Sequence, residues 1–339
     1  MVSRGVGGDV GGHEIVTVER FDAWMERCLY HPEHGFYGSG AGLAGRRRGD
    51  FITSPEVGPL FADVLAAAVD AWWDEAGRPE PFRVVDAGTG PGTLARALAA
   101  APGSSAGARH VIGADRAGPA DRAGGAVDPL AGIELAGAVV IANELLDNLP
   151  FRVVEHRADG WCELYVEADA GAGPGAERWD PIDDPGLDMP IGARGPLLEQ
   201  AARWVTDVLA RRPAALLVLD YGAPTTAELA ARGGWLRTYR QHQRGSDPLA
   251  EPGRWDITTD VAVDQLPGAA EVTTQAEFLR RWGIQALVDE GRRYWTEHAA
   301  RPDLTALRMR SRVSEAEALL DPAGLGGWLA CLWRPSPPA

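Results

Sequence analysis

An acid followed by three alternating glycines, Asp86-Ala-Gly88-Thr-Gly90-Pro-Gly92, is the stretch of this chain best suited to hold a small ligand. Glycine reaches left-handed backbone angles without strain, and it lets a ligand come close to the main chain. A dinucleotide site needs the third glycine one residue later, with a pyrophosphate on the following helix N-terminus. Here the third glycine is early and an acid closes the preceding apolar run. That arrangement suits a ligand with no phosphate but with a sulfonium cation, an amino acid end and a ribose. Asp86 would meet the amino acid end or a water beside it. Asp115, after the next apolar run, would take the ribose hydroxyls, because a carboxylate accepts two hydroxyl hydrogen bonds well.

A second group of polar residues follows another apolar run: Asn143-Glu144-Leu-Leu-Asp147-Asn-Leu-Pro150. At the carboxyl end of a buried strand, Asn143 and Glu144 would face the same crevice. Glu144 and Asp147 are three apart and would share a helical face. Two carboxylates there, with Asn143 beside them, can orient a cationic substrate and take its proton. The competing reading is a capped, solvated helix start. Upstream, Asp50 to Glu56 reads as a polar lid over the ligand, so Thr53 and Pro55 join the expected cofactor contacts, with Glu56 a further acid.

These groups need a scaffold to position them. The runs 82–86, 109–114, 138–142 and 215–220 read as buried strands. A glycine turn and a helix, Leu94 to Leu98, follow the first. Thr17 reads as the N-cap of a helix carrying Phe21, Trp24, Met25, Cys28 and Leu29. Ser54 reads as the N-cap of a helix that starts with Pro55 and runs through Trp72. Residues 151–167 alternate like a hairpin, 168–196 read as a loop, and a helix spans 196–211. Alternating strands and helices imply an α/β fold, a mostly parallel sheet with helices on both faces. The expected organisation is a disordered 1–16, an N-terminal helical and lid segment 17–80, a catalytic domain 81–333 with an insertion at about 151–195, and a flexible 334–339.

Composition narrows the function. A formal net charge of −15 argues against a nucleic-acid partner, which needs a basic face. Arg46, Arg47 and Arg48 form the densest basic cluster and read as a solvated loop. The three cysteines are far apart, fitting a reducing compartment. No secretory h-region and no membrane-spanning run are visible, so the expectation is a cytoplasmic protein without membrane insertion. The seven histidines lack metal spacing and no metal is expected. The twelve tryptophans read as packing.

Several motifs in order carry a more specific resemblance: Tyr30-His-Pro-Glu-His-Gly-Phe-Tyr37, Gly49-Asp-Phe-Ile-Thr-Ser-Pro-Glu56, Asp86 to Thr93, Asn143 to Pro150, Leu219-Asp-Tyr-Gly222, Tyr239-Arg-Gln-His242, Asp256-Ile-Thr258 and Leu320 to Gly326. From about residue 17 to 333 the chain resembles the MidA family, which includes mitochondrial complex I assembly factors. The resemblance implies a Rossmann-like class I methyltransferase with a seven-stranded sheet and S-adenosyl-L-methionine as donor. In the eukaryotic branch it implies methylation of a protein arginine on a respiratory complex subunit. The family usually has Glu where this chain has Asp86, and a basic residue where it has Pro91. The alternatives are a small-molecule methyltransferase of the same fold and a non-catalytic assembly factor that keeps it. The early third glycine and the Asn143 to Pro150 motif make a nicotinamide oxidoreductase remote.

Overall fold

The computed structural model describes residues 16–39, 53–116, 128–169, 174–240, 243–245, 247–269 and 271–334. Its centre is a mixed six-stranded sheet. Four strands run parallel: β2 (Phe82–Ala87), β3 (Arg109–Ala114), β4 (Val139–Asn143) and β9 (Ala215–Asp220). At the far side β16 (Leu329–Trp333) runs antiparallel between β9 and β15 (Glu271–Thr274), so β15 points the same way as the first four. The order is β15-β16-β9-β4-β2-β3.

The four parallel strands are the four apolar runs, and both their faces are covered, as continuous burial requires. Alternate side chains feed separate cores. Val85, Val140, Leu216 and Val218 point to one face, packed against α1 (Phe21–Tyr30) and α5 (Glu199–Ala210). Val84, Val139, Ile141, Leu217 and Leu219 point to the other. There they meet α3 (Pro59–Glu75), α4 (Thr93–Ala100), α7 (Gln275–Arg281), α8 (Ile284–His298) and α9 (Leu304–Leu320). Each fully buried aliphatic side chain contributes roughly 1.5–3 kcal/mol of transfer free energy, so the two cores fix the strand register.

Several expectations need correction. Seven strands were expected, but the described residues form six. After β3, Asp128 to Gly137 is turn and runs directly into β4, with Pro129, Gly132 and Gly137 interrupting any strand. Thr17 is no helix cap. It lies in β1 (Val16–Arg20), and Arg20 is the N-cap of α1. The inserted hairpin, β5 (Arg152–Arg157) and β6 (Gly160–Asp169), belongs to a five-stranded antiparallel sheet. Its other strands are β1, β7 (Ala176–Ile182) and β8 (Arg194–Leu197). β7 falls in the stretch read as loop. Its sequence, Ala-Glu-Arg-Trp-Asp-Pro-Ile, has no apolar alternation, and Pro181 is tolerated because β7 is an edge strand.

The helix expected from Ser54 to Trp72 is two helices. Thr53 caps α2 (Ser54–Val57) in a capping box with Glu56, and Gly58 and Pro59 break the chain before α3. The smaller sheets β10 (Gly222–Ala223) with β14 (Val261–Ala262), and β11 (Leu236–Arg240) with β12 (Gln243–Gly245) and β13 (Asp256–Thr259), pack beside the first core, joined through α6 (Thr226–Arg232). Among the described residues no helix is long and apolar enough to cross a membrane. The expectations for 1–15, Arg46 to Arg48, Asp50, 117–127, His242 and 335–339 lie outside the described residues.

Candidate active site

The turn after β2 is closed by its own backbone. The Gly88 and Thr89 N–H groups donate to Ala114 O at 2.8 and 3.1 Å, and Gly92 N–H donates to Thr89 O at 2.8 Å. Gly88, Gly90 and Gly92 have φ of 74°, 51° and 76°. Those left-handed values are why three glycines stand there.

Asp86 is 3% exposed and holds this turn to the next helix. Its Oδ2 accepts the Thr89 hydroxyl at 2.6 Å and the Ala95 N–H, in the first turn of α4, at 3.1 Å. Burial pushes its carboxyl up to about 6, against the pull of those two hydrogen bonds. Asp115, after β3, reaches back, and its Oδ2 accepts the Gly90 N–H at 2.6 Å.

At the carboxyl ends of β2, β3 and β4 lies a cleft of about 780 Å³. Gly88, Gly90, Asp115, Glu144 and Leu145 line its sheet side. The opposite wall comes from α1, with Asp22, Glu26 and Tyr30, and from α5, with Gln200, Arg203 and Trp204. The size suits a small-molecule ligand together with the tip of a second substrate. Glu144 has a φ of 52°, rare for a side-chain-bearing residue and typical of strained functional positions. Its N–H donates to Leu219 O on β9 at 2.9 Å, and Asn143 Nδ2 donates to its Oε1 at 2.9 Å. Asn143 Oδ1 is buried without a hydrogen-bond partner.

Not every expected site residue reaches the cleft. Asp86 and Gly92 act inside the turn rather than on its surface. Asp147 is 2% exposed, and its carboxylate accepts the Tyr221 hydroxyl behind the turn. The expected shared helical face fails because the chain after Glu144 forms only a single 3₁₀ turn, Leu146–Asn148. Thr53 and Pro55 do not line the cleft either. Ser54 between them donates its hydroxyl to Gln275 Oε1 at 3.0 Å, which fixes α2 against α7.

Other functional positions were not singled out from sequence. Asn148 lines the cleft and ties three distant segments together. Its carbonyl accepts the Tyr30 hydroxyl at 3.0 Å and its Oδ1 the Tyr37 hydroxyl at 3.2 Å. Its Nδ2 donates to Asp256 Oδ1 at 2.9 Å and Ile257 O at 3.2 Å. The available signal is that Tyr30, Tyr37, Asn148 and Asp256 all lie in the segments that carry the family resemblance. Arg116 also lines the cleft. It donates to Glu26 Oε2 at 2.9 Å, and its guanidinium lies 4.3 Å from the Tyr30 ring centre. It links the end of β3 to α1 across the mouth.

Comparison with known proteins points to methyltransferases. A family model described as "Putative S-adenosyl-L-methionine-dependent methyltransferase" matches residues 127–281. The mitochondrial protein arginine methyltransferase NDUFAF7 homolog of Drosophila melanogaster is 25% identical, covering 89% of this chain and 78% of that protein. Human NDUFAF7, named a mitochondrial protein arginine methyltransferase, is 23% identical over 77% of this chain and 69% of its own length. A crystal structure of a Burkholderia thailandensis protein bound to S-adenosyl-homocysteine superposes with a TM-score of 0.70. It is 26% identical and covers 94% of this chain and 88% of that one.

Proposed function

We propose, on the premise that this chain belongs to the MidA-like family of S-adenosyl-L-methionine-dependent methyltransferases, distant relatives of the NDUFAF7 enzymes, that it methylates an arginine side chain of a protein. Its methyl donor is S-adenosyl-L-methionine. The residues present fit that donor. Gly88 and Gly90 bring main chain to the cleft without side chains of their own, and Asp115 offers a carboxylate for ribose hydroxyls. When bound, the donor supplies an electrophilic methyl on a sulfonium.

The protein's own residues do the rest. The turn from Gly88 to Gly92, fastened by Asp86 and Asp115, orients the bound donor without reorganising. α1 and α5 form one wall, with Tyr30 and Trp204 as its apolar part, and Leu145 and Leu149 add apolar surface from the segment after β4. A guanidinium is cationic and a poor nucleophile. Glu144 is the carboxylate that would orient it and receive its proton. Asn143 holds the Glu144 carboxylate through the hydrogen bond at Oε1.

One observation carries this reading: Asp115 and Glu144, which directly follow β3 and β4, the strands on either side of β2, line the same cleft. The protein substrate is supported by the arginine methyltransferases among its relatives, and a respiratory complex subunit is the partner class that the resemblance suggests. The test is to incubate the purified chain with isotopically labelled donor and a lysate of cells lacking it. Label should appear in methylarginine after protein hydrolysis. Label found only in small molecules would refute the proposed acceptor, and failure to bind the donor's demethylated product would refute the enzymatic reading.

A further inference from the structure

Asp220 ends β9 and is 2% exposed, away from the cleft surface. Its Oδ2 accepts the Leu146 N–H at 3.0 Å and the Asp147 N–H at 3.3 Å, and its Oδ1 accepts the Tyr221 N–H at 3.0 Å. Both oxygens are thus committed to main-chain donors. The next residue reinforces the hold, because the Tyr221 hydroxyl donates to Asp147. On the near side of the same turn, Glu144 N–H donates to Leu219 O. The segment 144–147 is therefore fastened to the last three residues around the end of β9. Its consequence reaches the glycine turn: a Cβ on Gly88 would stand 2.9 Å from Leu145 Cδ1, so Leu145 packs directly against that backbone.

We propose that Asp220 is a positioning residue of this active site, holding the 144–147 turn so that Glu144 faces the acceptor and Leu145 supports the donor turn at Gly88. The proposal rests on the methyltransferase reading above. Fold stability alone does not account for an acid here. A buried carboxyl is costly, and a well-packed apolar residue serves a core as well or better. The groups around Asp220 add to that cost. Asp147 and Glu144 come from the turn, Tyr221 follows it in the chain, and the Cys331 thiol feels it from β16. The guanidinium of Arg237 lies over the Tyr221 ring, but it is ion-paired to Asp260. Burial, then Asp147 and Glu144, raise the Asp220 carboxyl well above its usual range. What the carboxyl supplies is two acceptors at fixed positions, which no apolar side chain offers. Sub-ångström placement of the groups it holds is what a transfer reaction needs.

The experiment compares Asp220→Ala and Asp220→Asn with the wild-type chain. It uses calorimetric titration with S-adenosyl-homocysteine and hydrogen exchange at the Leu146 and Asp147 amides. Asp220→Ala should weaken product binding about tenfold or more and speed exchange at both amides. Asp220→Asn, whose amide oxygen still accepts the Leu146 and Asp147 N–H groups while its NH2 faces the Tyr221 N–H, should lose less than Asp220→Ala in both readouts. If Asp220→Ala does not fold, the asparagine variant and the wild-type exchange decide. Protected amides with retained affinity support the proposal, and unprotected wild-type amides overturn it. A folded Asp220→Ala with unchanged affinity overturns it too. A wild-type chain that binds no product sinks the methyltransferase reading itself, a result distinct from a variant that matches wild type.

Discussion

The carboxylate of Asp115 accepts the main-chain N–H of Gly90 at 2.6 Å, tying the end of β3 to the tip of the turn that follows β2. The bond does two things. It satisfies the Gly90 amide, and it fixes the carboxylate at the edge of the cleft that both residues line. Positioning and binding are thereby joined in one residue. Its partner is a glycine at φ 51°, where a side chain would be strained.

Disturbing this turn should affect donor binding more than folding. Asp115→Ala is expected to weaken S-adenosyl-homocysteine binding by about 10–100-fold, consistent with loss of a charge-assisted pair worth about 1.5–3 kcal/mol. Gly88→Val should do at least as much, because it adds left-handed strain of about 1–2 kcal/mol and drives a side chain into Leu145. Calorimetric titration, with a melting curve as the control for folding, checks both. Wild-type affinity in Asp115→Ala would remove this residue from the binding site.

Glu144→Gln separates binding from chemistry. Glutamine keeps the size and the hydrogen bond from Asn143, but it neither balances a guanidinium nor takes its proton. Product affinity should stay within about threefold, while methyl transfer should fall about 10²–10⁴-fold, the usual worth of a general base. Turnover by the variant at the wild-type rate would discard Glu144 as the proton acceptor. Asp147→Asn serves as the contrast. Its carboxylate is occupied by Tyr221 behind the turn, so its effect should appear chiefly in stability.

How much of this was legible in the sequence follows from how local each cause is. The β2, glycine turn and α4 unit could be read directly, since an apolar run, three glycines and a helical stripe each act within a few residues. β1 and β7 could not. Val16 to Arg20 and Ala176 to Ile182 become strands only by pairing with the two edges of β6, and nothing in their own alternation announces it. The same holds for the site. Glu144 was readable because it follows an apolar strand. Asn148 does not stand out in the sequence because its importance lies in Tyr30, Tyr37 and Asp256, which are more than a hundred residues away. Asp147 was misplaced because a three-residue spacing implies a shared face only if a helix forms, and the left-handed Glu144 prevents one.

Stability should vary with pH through Asp86. Its folded value, about 6, lies above the roughly 3.9 of an unfolded aspartate. The folded state therefore binds the proton more tightly. The benefit is complete below about pH 4 and is lost as pH rises through 6, and above that the ionised form is buried at a constant cost. Two units correspond to about 3 kcal/mol at most. Asp86→Asn keeps an acceptor for Thr89 and Ala95 and should remove this dependence. Unfolding free energies of wild type and variant, measured from pH 4 to 7, should therefore diverge with rising pH in favour of the variant. Parallel curves would show that Asp86 does not titrate in that window.

Arg116 and Glu26 should behave as one unit at the cleft mouth. Both are partly exposed, at 25% and 37% of their side chains, so the ion pair itself is worth only about 0.5–1 kcal/mol, and the stacking of Arg116 on Tyr30 adds a similar amount. Arg116→Ala and Glu26→Ala should each weaken product binding about three- to tenfold. The double variant should be no worse than Arg116→Ala, and the difference from wild type should shrink at high salt. Additive losses, insensitive to salt, would mean that the two side chains contact the ligand separately.

The break between α2 and α3 is maintained by Glu315, and this is the sharpest test of the far side of the fold. Glu315 is 5% exposed, and its Oε2 accepts the Leu60 N–H at 2.9 Å, in the first turn of α3. A cap supplied from α9 thus stands where the α3 helix has no capping side chain of its own, since its N-cap is Gly58. Glycine is required there for space rather than for backbone angle. A Cβ at 58 would stand 2.2 Å from the Glu315 carboxyl carbon. Glu315→Ala should cost about 1–3 kcal/mol, the range for an N-cap or for a buried donor left unpaired. Gly58→Ala should cost a comparable amount in the wild-type background. In the Glu315→Ala background the added methyl has room, so the second substitution should cost little. Denaturant unfolding of the four proteins gives the coupling directly, and a full additive penalty for Gly58→Ala without Glu315 would show that the glycine serves the backbone and not the cap.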